Sequence, residues 1–398
     1  MSEPRTVALT ALGAATSLGG IVQAAAAARA GIVRTGELTG CWHLDDELNE
    51  PIPVTGHPAA WLTDGFEGLG RFMQLGVSAL TDLLATSPHI QRERTGFFLA
   101  LPHDVGQEED AEEQDEEAQD GGEDEEAQEP PSDGEGDEDI AAPAPLSPEE
   151  SAQRLMEHLF QETELAFRPE AIRVFLEGRK GTILAVQQAV QALLQGRYHH
   201  ALVMACDSLV DPWRAQRMLR ARRIKTSDNP VGFMPGEAGV AILLERLDTV
   251  RTRRDEPLAL LFEPVTAHEA HNRAEQRHSS GAALVEVIAG AMERAGAIAS
   301  LEGSVYLDLN GEDFRAREWG GALVRARGRC QVGAWAQRLP ALSFGETGTA
   351  APLLALGLAT RAFARGYGRG GQALILASDD HGARAGMVLK HDASGRAK

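Results

Sequence analysis

Cysteine, lysine and aromatic residues are scarce in this chain of 398 residues. The three cysteines, Cys41, Cys206 and Cys330, are scattered, with no Cys-x-x-Cys spacing and no Cys/His cluster. That pattern excludes a disulfide framework and a structural zinc site, so no metal is expected. Only four lysines (Lys180, Lys225, Lys390 and Lys398) stand against 34 arginines, a bias of composition that says nothing about mechanism. No apolar run is long enough to span a bilayer: the longest alanine run, Ala24 to Ala28, is followed at once by Arg29. No charged n-region and apolar h-region precede the first strand pattern, so a cytoplasmic protein without a membrane partner is expected.

A basic surface is also missing. The net charge is −21, but 19 acidic residues and no Lys or Arg lie between Glu108 and Asp139, which leaves −2 for the rest. A nearly neutral body offers no broad face to nucleic acid. The acidic run and the Pro-rich Ala141–Pro148 stretch cannot pack, and an insert over about 107–145 should be disordered. It reads as a solvated insertion into the first half, with a basic partner as the alternative.

What is present is a repeat. Ala201-Leu-Val-Met-Ala-Cys-Asp-Ser and Ala373-Leu-Ile-Leu-Ala-Ser-Asp-Asp nearly coincide, 172 residues apart. Each is followed by a second apolar run (from Gly239 and from Ala385) and preceded by an Ala/Leu-rich helical stretch. A duplicated helix–strand–strand unit implies two similar halves, placed at 1–250 and 251–398. The opening of the second half is expected at Val305-Tyr-Leu-Asp-Leu-Asn-Gly, which echoes Val7-Ala-Leu-Thr-Ala-Leu-Gly. Alternating strands and helices predict a mainly parallel sheet covered by helices. Individual expectations are a strand from Val7, a helix over 21–30, a helix over 71–84, a buried strand at Thr95–Leu101, and a helix capped by Ser147 with Pro148 at its first position.

Within this pattern, Gly232-Phe-Met-Pro-Gly-Glu-Ala-Gly-Val-Ala-Ile-Leu-Leu-Glu resembles the GFxxGEGAGxxxLE segment of β-ketoacyl synthases, in the thiolase-fold superfamily. Ala8-Leu-Thr-Ala-Leu-Gly-Ala-Ala-Thr-Ser-Leu-Gly is similar to that family's opening strand and turn, and Ala28-Arg-Ala-Gly-Ile to its following helix end. Arg71-Phe-Met-Gln-Leu is similar to its RFxQ helix, and Arg94-Thr-Gly-Phe-Phe-Leu-Ala to its next strand. Ser343-Phe-Gly-Glu-Thr-Gly-Thr-Ala-Ala resembles its second-half GHTxGAAG turn. The resemblance runs nearly end to end outside the acidic insert. It implies a five-layer αβαβα pseudodimer of duplicated thiolase-like halves, with no cofactor.

The family's chemistry uses a cysteine at a helix N-terminus and two histidines from the second half. Carried over by position, all three are replaced. The cysteine turn corresponds to Glu177–Thr182, with Gly178 at the nucleophile position. The first histidine turn corresponds to Asn310-Gly-Glu-Asp and the second to Gly345-Glu346-Thr347. A lysine position falls near Ala341, and the gating Gly-Phe-Gly-Gly loop corresponds to Asp379-Asp-His-Gly382. Cys206 is no substitute, because the repeat matches it to Ser378 at a strand end. Arg179, Lys180, Glu346, Asp380 and His381 are expected to line the inherited cleft. A Glu/His pair there would suit acid–base work, Arg and Lys at a helix start would suit an anion, and a cleft filled with salt bridges would suit neither. His268, His271 and His278 lie in a polar stretch. The His268–His271 spacing suits a metal on a helix, but solvated histidines are the plainer reading.

Three functions follow as expectations. The first is a catalytically inactive ketosynthase-like partner, scaffold or accessory subunit, as a homodimer or a heterodimer with an active paralogue. Its setting would be a polyketide or fatty-acid system or a type VI secretion system. The second is an acyltransferase of the 3-oxoacyl synthase type with a divergent site. The third is an acyl, anion or acyl-carrier-protein binding module.

Overall fold

The computed structural model describes residues 6–87, 90, 92–107 and 146–392. The acidic run therefore lies outside the described residues. The first half contains β1 (Thr6–Thr16), α1 (Ile21–Arg29), a hairpin of β2 (Gly36–Asp45) and β3 (Glu50–Gly56), α2 (Ala60–Thr63) and α3 (Leu69–Leu84). It continues through β4 (Thr95–Ala100), α4 (Pro148–Glu162), β5 (Ile172–Phe175), α5 (Gly178–Leu194), β6 (His200–Ser208), α6 (Pro212–Arg220), β7 (Glu237–Arg246) and α7 (Leu247–Thr252). The second half contains β8 (Ala259–Phe262), β9 (Val265–His268), α8 (Ala282–Arg294), β10 (Ser304–Tyr306), α9 (Asp313–Ala326) and β11 (Ala336–Arg338). It ends with α10 (Ala341–Phe344), α11 (Ala351–Ala364), β12 (Gln372–Ser378) and β13 (Ala383–Lys390).

One sheet runs through both halves in the order β11-β10-β12-β13-β8-β1-β7-β6-β4-β5, with β9 also paired to β13. Its central strands, β1, β4, β6 and β12 among them, are buried on both faces, which explains why they read as continuous apolar runs rather than alternating ones. Helices α5 and α11 pack against strands of both halves and form the middle layer with α1. Helices α3 and α4 cover the outer face of the first half; α8 and α9 cover that of the second. The result is the five-layer αβαβα arrangement. The largest apolar core lies in the middle, where Leu193, Leu353, Leu354 and Leu356 are fully buried. Each such side chain contributes about 1.5–3 kcal/mol by leaving water.

Local rules explain the elements. Ser147 caps α4 reciprocally: its Oγ accepts from the Glu150 N–H at 3.2 Å, while its own N–H donates to Glu150 Oε2 at 2.9 Å. Helix α3 turns Phe72, Leu75, Ala79, Leu80 and Leu83 onto the sheet at helical spacing. It lies so close that a Cβ at Gly239 of β7 would stand 2.4 Å from the Leu75 carbonyl oxygen. Two of the motifs meet here. Arg71 donates to both oxygens of Glu237 at 3.1 and 3.0 Å, and Glu237 also accepts from the Ala59 N–H, Thr63 Oγ1 and Ser208 Oγ.

Two expectations are corrected. The sheet is mixed: β4 pairs with β5 and β6 in parallel, and β10 with β11 and β12, but β1, β7, β8 and β13 meet their neighbours antiparallel. The strand–strand end of each repeated unit folds back on itself, which reverses direction. Val305 is also not the counterpart of Val7. β10 takes the place of β4, while β8 and β9 take the place of β1 by pairing antiparallel with β13, as β1 does with β7. The echo recorded only that both are buried strands. The other repeat holds in space: β6–β7 and β12–β13 are equivalent antiparallel pairs, each preceded by a middle-layer helix.

Candidate functional site

A cleft of about 360 Å3 opens at the start of α5. Strand β5 leads through Leu176 and Glu177 into Gly178, whose φ of 58° lies in the left-handed region that disfavours a side chain. The Gly178 N–H donates to the Leu101 carbonyl at 3.1 Å, which fixes the turn to β4. The helix start carries no side-chain cap. Arg179 follows, buried, and reaches across to the second half. Its Nε donates to the Gly348 carbonyl at 3.1 Å, and its Nη2 forms a short ion pair with Glu346 Oε1.

Glu346 is held by its own turn. Its N–H donates to the Met234 carbonyl at 2.8 Å, and its carbonyl accepts from the Gly236 N–H at 2.9 Å, so the Gly232–Glu237 motif clamps it. The Gly348 N–H donates to Oε1 at 2.8 Å, and Asn310 Nδ2 donates to Oε2 at 2.7 Å. Both carboxylate oxygens are therefore engaged.

The pairing extends outward. Arg223 holds Glu312 with two hydrogen bonds of 2.9 and 3.0 Å and also pairs with Asp380 at 2.8 Å. Arg315 donates to Asp308 at 3.0 Å and to Asp380 at 3.2 Å. Arg273 stands 3.4 Å from Glu312, and Arg179 stands 3.8 Å from Asp308. Four arginines and four carboxylates thus neutralise one another, as buried charge requires. On the opposite wall, Asp104 and Asp207 hold Arg214, Asp104 also pairs with Arg217 at 2.8 Å, and Asp207 Oδ2 accepts from the Thr349 N–H at 2.7 Å.

Protonation states follow from this. Burial raises the Glu346 carboxyl, but Arg179 and Arg315 outweigh it and hold it below the usual carboxylate range. Burial likewise opposes the ionised form of Asp380, yet Arg315 and Arg223 bring it down to about 2. Glu312 is lowered in the same way, chiefly by Arg223 against burial. These carboxylates stay ionised and paired through the neutral range, which suits neither a general acid nor a general base.

All five expected lining residues, Arg179, Lys180, Glu346, Asp380 and His381, stand on this one cleft together with Gly178. Asn310 stands behind Glu346. The expected Glu/His pair is not formed: Glu346 is occupied as described, and His381 faces Asp379 at 3.6 Å. Lys180 pairs with Glu177 at 2.5 Å on the exposed rim. Ala341 begins α10, and Asp379–Gly382 form the turn between β12 and β13. Cys206 is fully buried in the outer core, against α3 and α4. Alternation along β6 turns it away from the cleft, while its neighbour Asp207 lines it. Desolvation, then Asp207, push its thiol well above the ordinary value. His268 ends β9, and His271 follows in a turn rather than on a helix; both are exposed. Among the described residues no group of three or more His, Cys, Asp or Glu could hold a metal ion. Sequence reasoning missed Arg223, Arg273, Arg315 and Asp308. The only local signal was the i, i+3 spacing of Glu312 and Arg315 at the start of α9.

The overall fold agrees with known structures over nearly the whole chain. The fold is that of the ketosynthases. An oxazolomycin ketosynthase domain from Streptomyces albus is similar with a TM-score of 0.73 at 15% identity, covering 97% of this chain and 74% of that one. A type II polyketide synthase structure, of an acyl-carrier protein in complex with its ketosynthase bound to the hexaketide, is similar with a TM-score of 0.69 at 11% identity, covering 98% and 100%. The ishigamide ketosynthase/chain length factor gives 0.64 at 19% identity, covering 97% and 99%. At these identities the ketosynthase likeness is one of fold. No protein-family model matches the chain, and no curated protein matches it in sequence. Among the described residues no helix is long and apolar enough to cross a membrane.

Proposed function

We propose that this chain is a non-condensing partner subunit with a ketosynthase fold, acting through association rather than turnover. The observation that carries this reading is that Arg179 and Asn310 both donate to Glu346, leaving its carboxylate occupied, at the place where a ketosynthase-type site would stand. Gly178 supplies no nucleophile, and the flanking charges satisfy one another. An active acyltransferase with a divergent site would need a thiol or hydroxyl free to attack. Among the described residues the lining holds no cysteine, and its one hydroxyl, Thr349 Oγ1, is buried with no general base hydrogen-bonded to it that could activate it.

The partner is a second ketosynthase-fold chain: a paralogue, or a copy of itself. The neighbour described as a ketosynthase/chain length factor supports that choice. Among the described residues β5 is a sheet edge that pairs only with β4 along Ile172–Phe175, which offers a template for a further strand. Acyl-carrier protein is a further partner in this reading, and the setting is a cytoplasmic polyketide or fatty-acid system. A type VI secretion accessory role would show itself by association with secretion components instead.

A second reading, an acyl or anion binder, has its own support. Thr349 is 1% exposed, its Oγ1 has no hydrogen-bond partner, and it lies beside the uncapped start of α5.

The test combines intact-mass analysis with size-exclusion chromatography. The purified chain is incubated with malonyl and acyl thioesters, alone and with a ketosynthase from the same host. No acyl adduct, no decarboxylation, and co-migration with the ketosynthase or as a dimer are expected. An acyl adduct or turnover by the chain alone would overturn the proposal, and saturable thioester binding without association would favour the second reading.

A further inference from the structure

Away from the cleft, a cavity of about 390 Å3 opens where α1 and α11 cross the ends of β10 and β11. Its volume lies in the range of small-molecule sites. Tyr306 on β10 and Arg338 on β11 are register partners in the parallel ladder, so their side chains share one face of the sheet. Helix α1 contributes Ala25, Ala28 and Arg29, which lie on one side of the helix at i, i+3 and i+4. The alanines leave room that longer side chains would fill. Tyr367, in the turn after α11, lies under the Arg29 guanidinium, 4.2 Å from ring centre to Cζ.

The polar groups here differ from those of the central cleft in one respect. Among the described residues, Arg29 and Arg338 have no ion pair, and the hydroxyls of Tyr306, Tyr367 and Ser343 make no hydrogen bond. Among the described residues no Asp or Glu lines the cavity. In the cleft, by contrast, Arg179, Arg214, Arg223 and Arg315 each face a carboxylate. Two unpaired guanidiniums and three free hydroxyls converge on a space whose remaining walls include Leu339, Pro340 and Leu358.

We infer that this cavity binds a small organic anion: a carboxylate or phosphate ester on an apolar or aromatic body. The guanidinium forks and phenol hydroxyls donate to the oxyanion, and the alanine face of α1 with Leu358 covers the body. The site is independent of the partner-subunit reading, since it shares no residue with the cleft or with β5.

Isothermal titration of the full chain with benzoate, phenyl phosphate, inorganic phosphate and benzyl alcohol tests this. Benzoate or phenyl phosphate should bind one equivalent per chain, whichever is preferred identifying the oxyanion. Inorganic phosphate should bind at least tenfold more weakly, and benzyl alcohol should not saturate. R29Q/R338Q should weaken the organic anion at least tenfold and Y306F several-fold, with unchanged circular dichroism melting for the exposed arginine pair. K180Q, at the other cleft, should change nothing. Absence of saturable binding by both organic anions would overturn the inference. So would binding untouched by R29Q/R338Q, or binding lost in K180Q.

Discussion

Arg179, at the start of α5, and Glu346, in the turn before α11, form a buried ion pair between the two halves of the molecule. Asn310 and the Gly348 N–H complete the shell of Glu346. Truncating one member leaves a buried charge without its partner, so E346A should destabilise the fold by about 3–5 kcal/mol. R179M/E346L, which removes both charges, should recover most of that loss. Urea unfolding midpoints of the unmodified protein and the two variants check the ordering.

A second buried pair, between α3 and β7, predicts an effect of similar size. Glu237 is fully buried and accepts from Arg71, Thr63, Ser208 and the Ala59 N–H. E237A should cost about 3–5 kcal/mol and lower the thermal midpoint, because it strands the Arg71 charge in the outer core. Calorimetry would show it; an unchanged midpoint would mean that water replaces the carboxylate.

Gly178 offers a chemical test. A Cβ there would meet nothing nearer than Thr349 Oγ1 at 3.9 Å, so a side chain fits in space. The φ of 58° adds strain of about 1–2 kcal/mol. G178C should fold with a slightly lower Tm and take up one equivalent of maleimide, while Cys41, Cys206 and Cys330, all buried, stay unmodified. It should gain no condensing activity, since Asn310 and Glu346 do not supply imidazoles. Intact-mass spectrometry and a thioester assay read the two outcomes.

The carboxylates of the cleft give stability a defined acid limb. The Asp380 carboxyl lies at about 2 in the folded protein against the usual 3.8, and Glu346 and Glu312 are also lowered. A depressed folded value means that the unfolded state binds more protons as pH falls. Their contribution, about 2 kcal/mol from Asp380, is complete above pH 4 to 5 and fades toward pH 2. Thermal midpoints should be insensitive to these groups between pH 6 and 8 and should fall below pH 5. D380N should flatten the acid limb.

Much of the architecture was legible before the fold. The repeat of Ala201–Ser208 at Ala373–Asp380 located two equivalent strand pairs, because strands buried on both faces have a recognisable apolar run. The same repeat removed Cys206 from consideration, and the alternation of β6 turns its side chain toward α3. The order of motifs pointed to Gly178, Asn310 and Glu346; in the fold Gly178 and Glu346 line one cleft, and Asn310 donates to Glu346. The Val305 echo failed because an apolar run records burial and not the neighbour it pairs with. The parallel reading of the sheet failed for the same reason.

The chain by itself determined the duplication and the elements, since helical and strand periodicities are local. Only the tertiary structure decided which charges meet. Arg179 lies 167 positions from Glu346 and Arg223 lies 89 from Glu312, and no local pattern marks those partners among 34 arginines. It also decided that Arg29 and Arg338 share a cavity. Pairing depends on how the middle-layer helices cross the sheet, and that crossing is set by packing over the whole core.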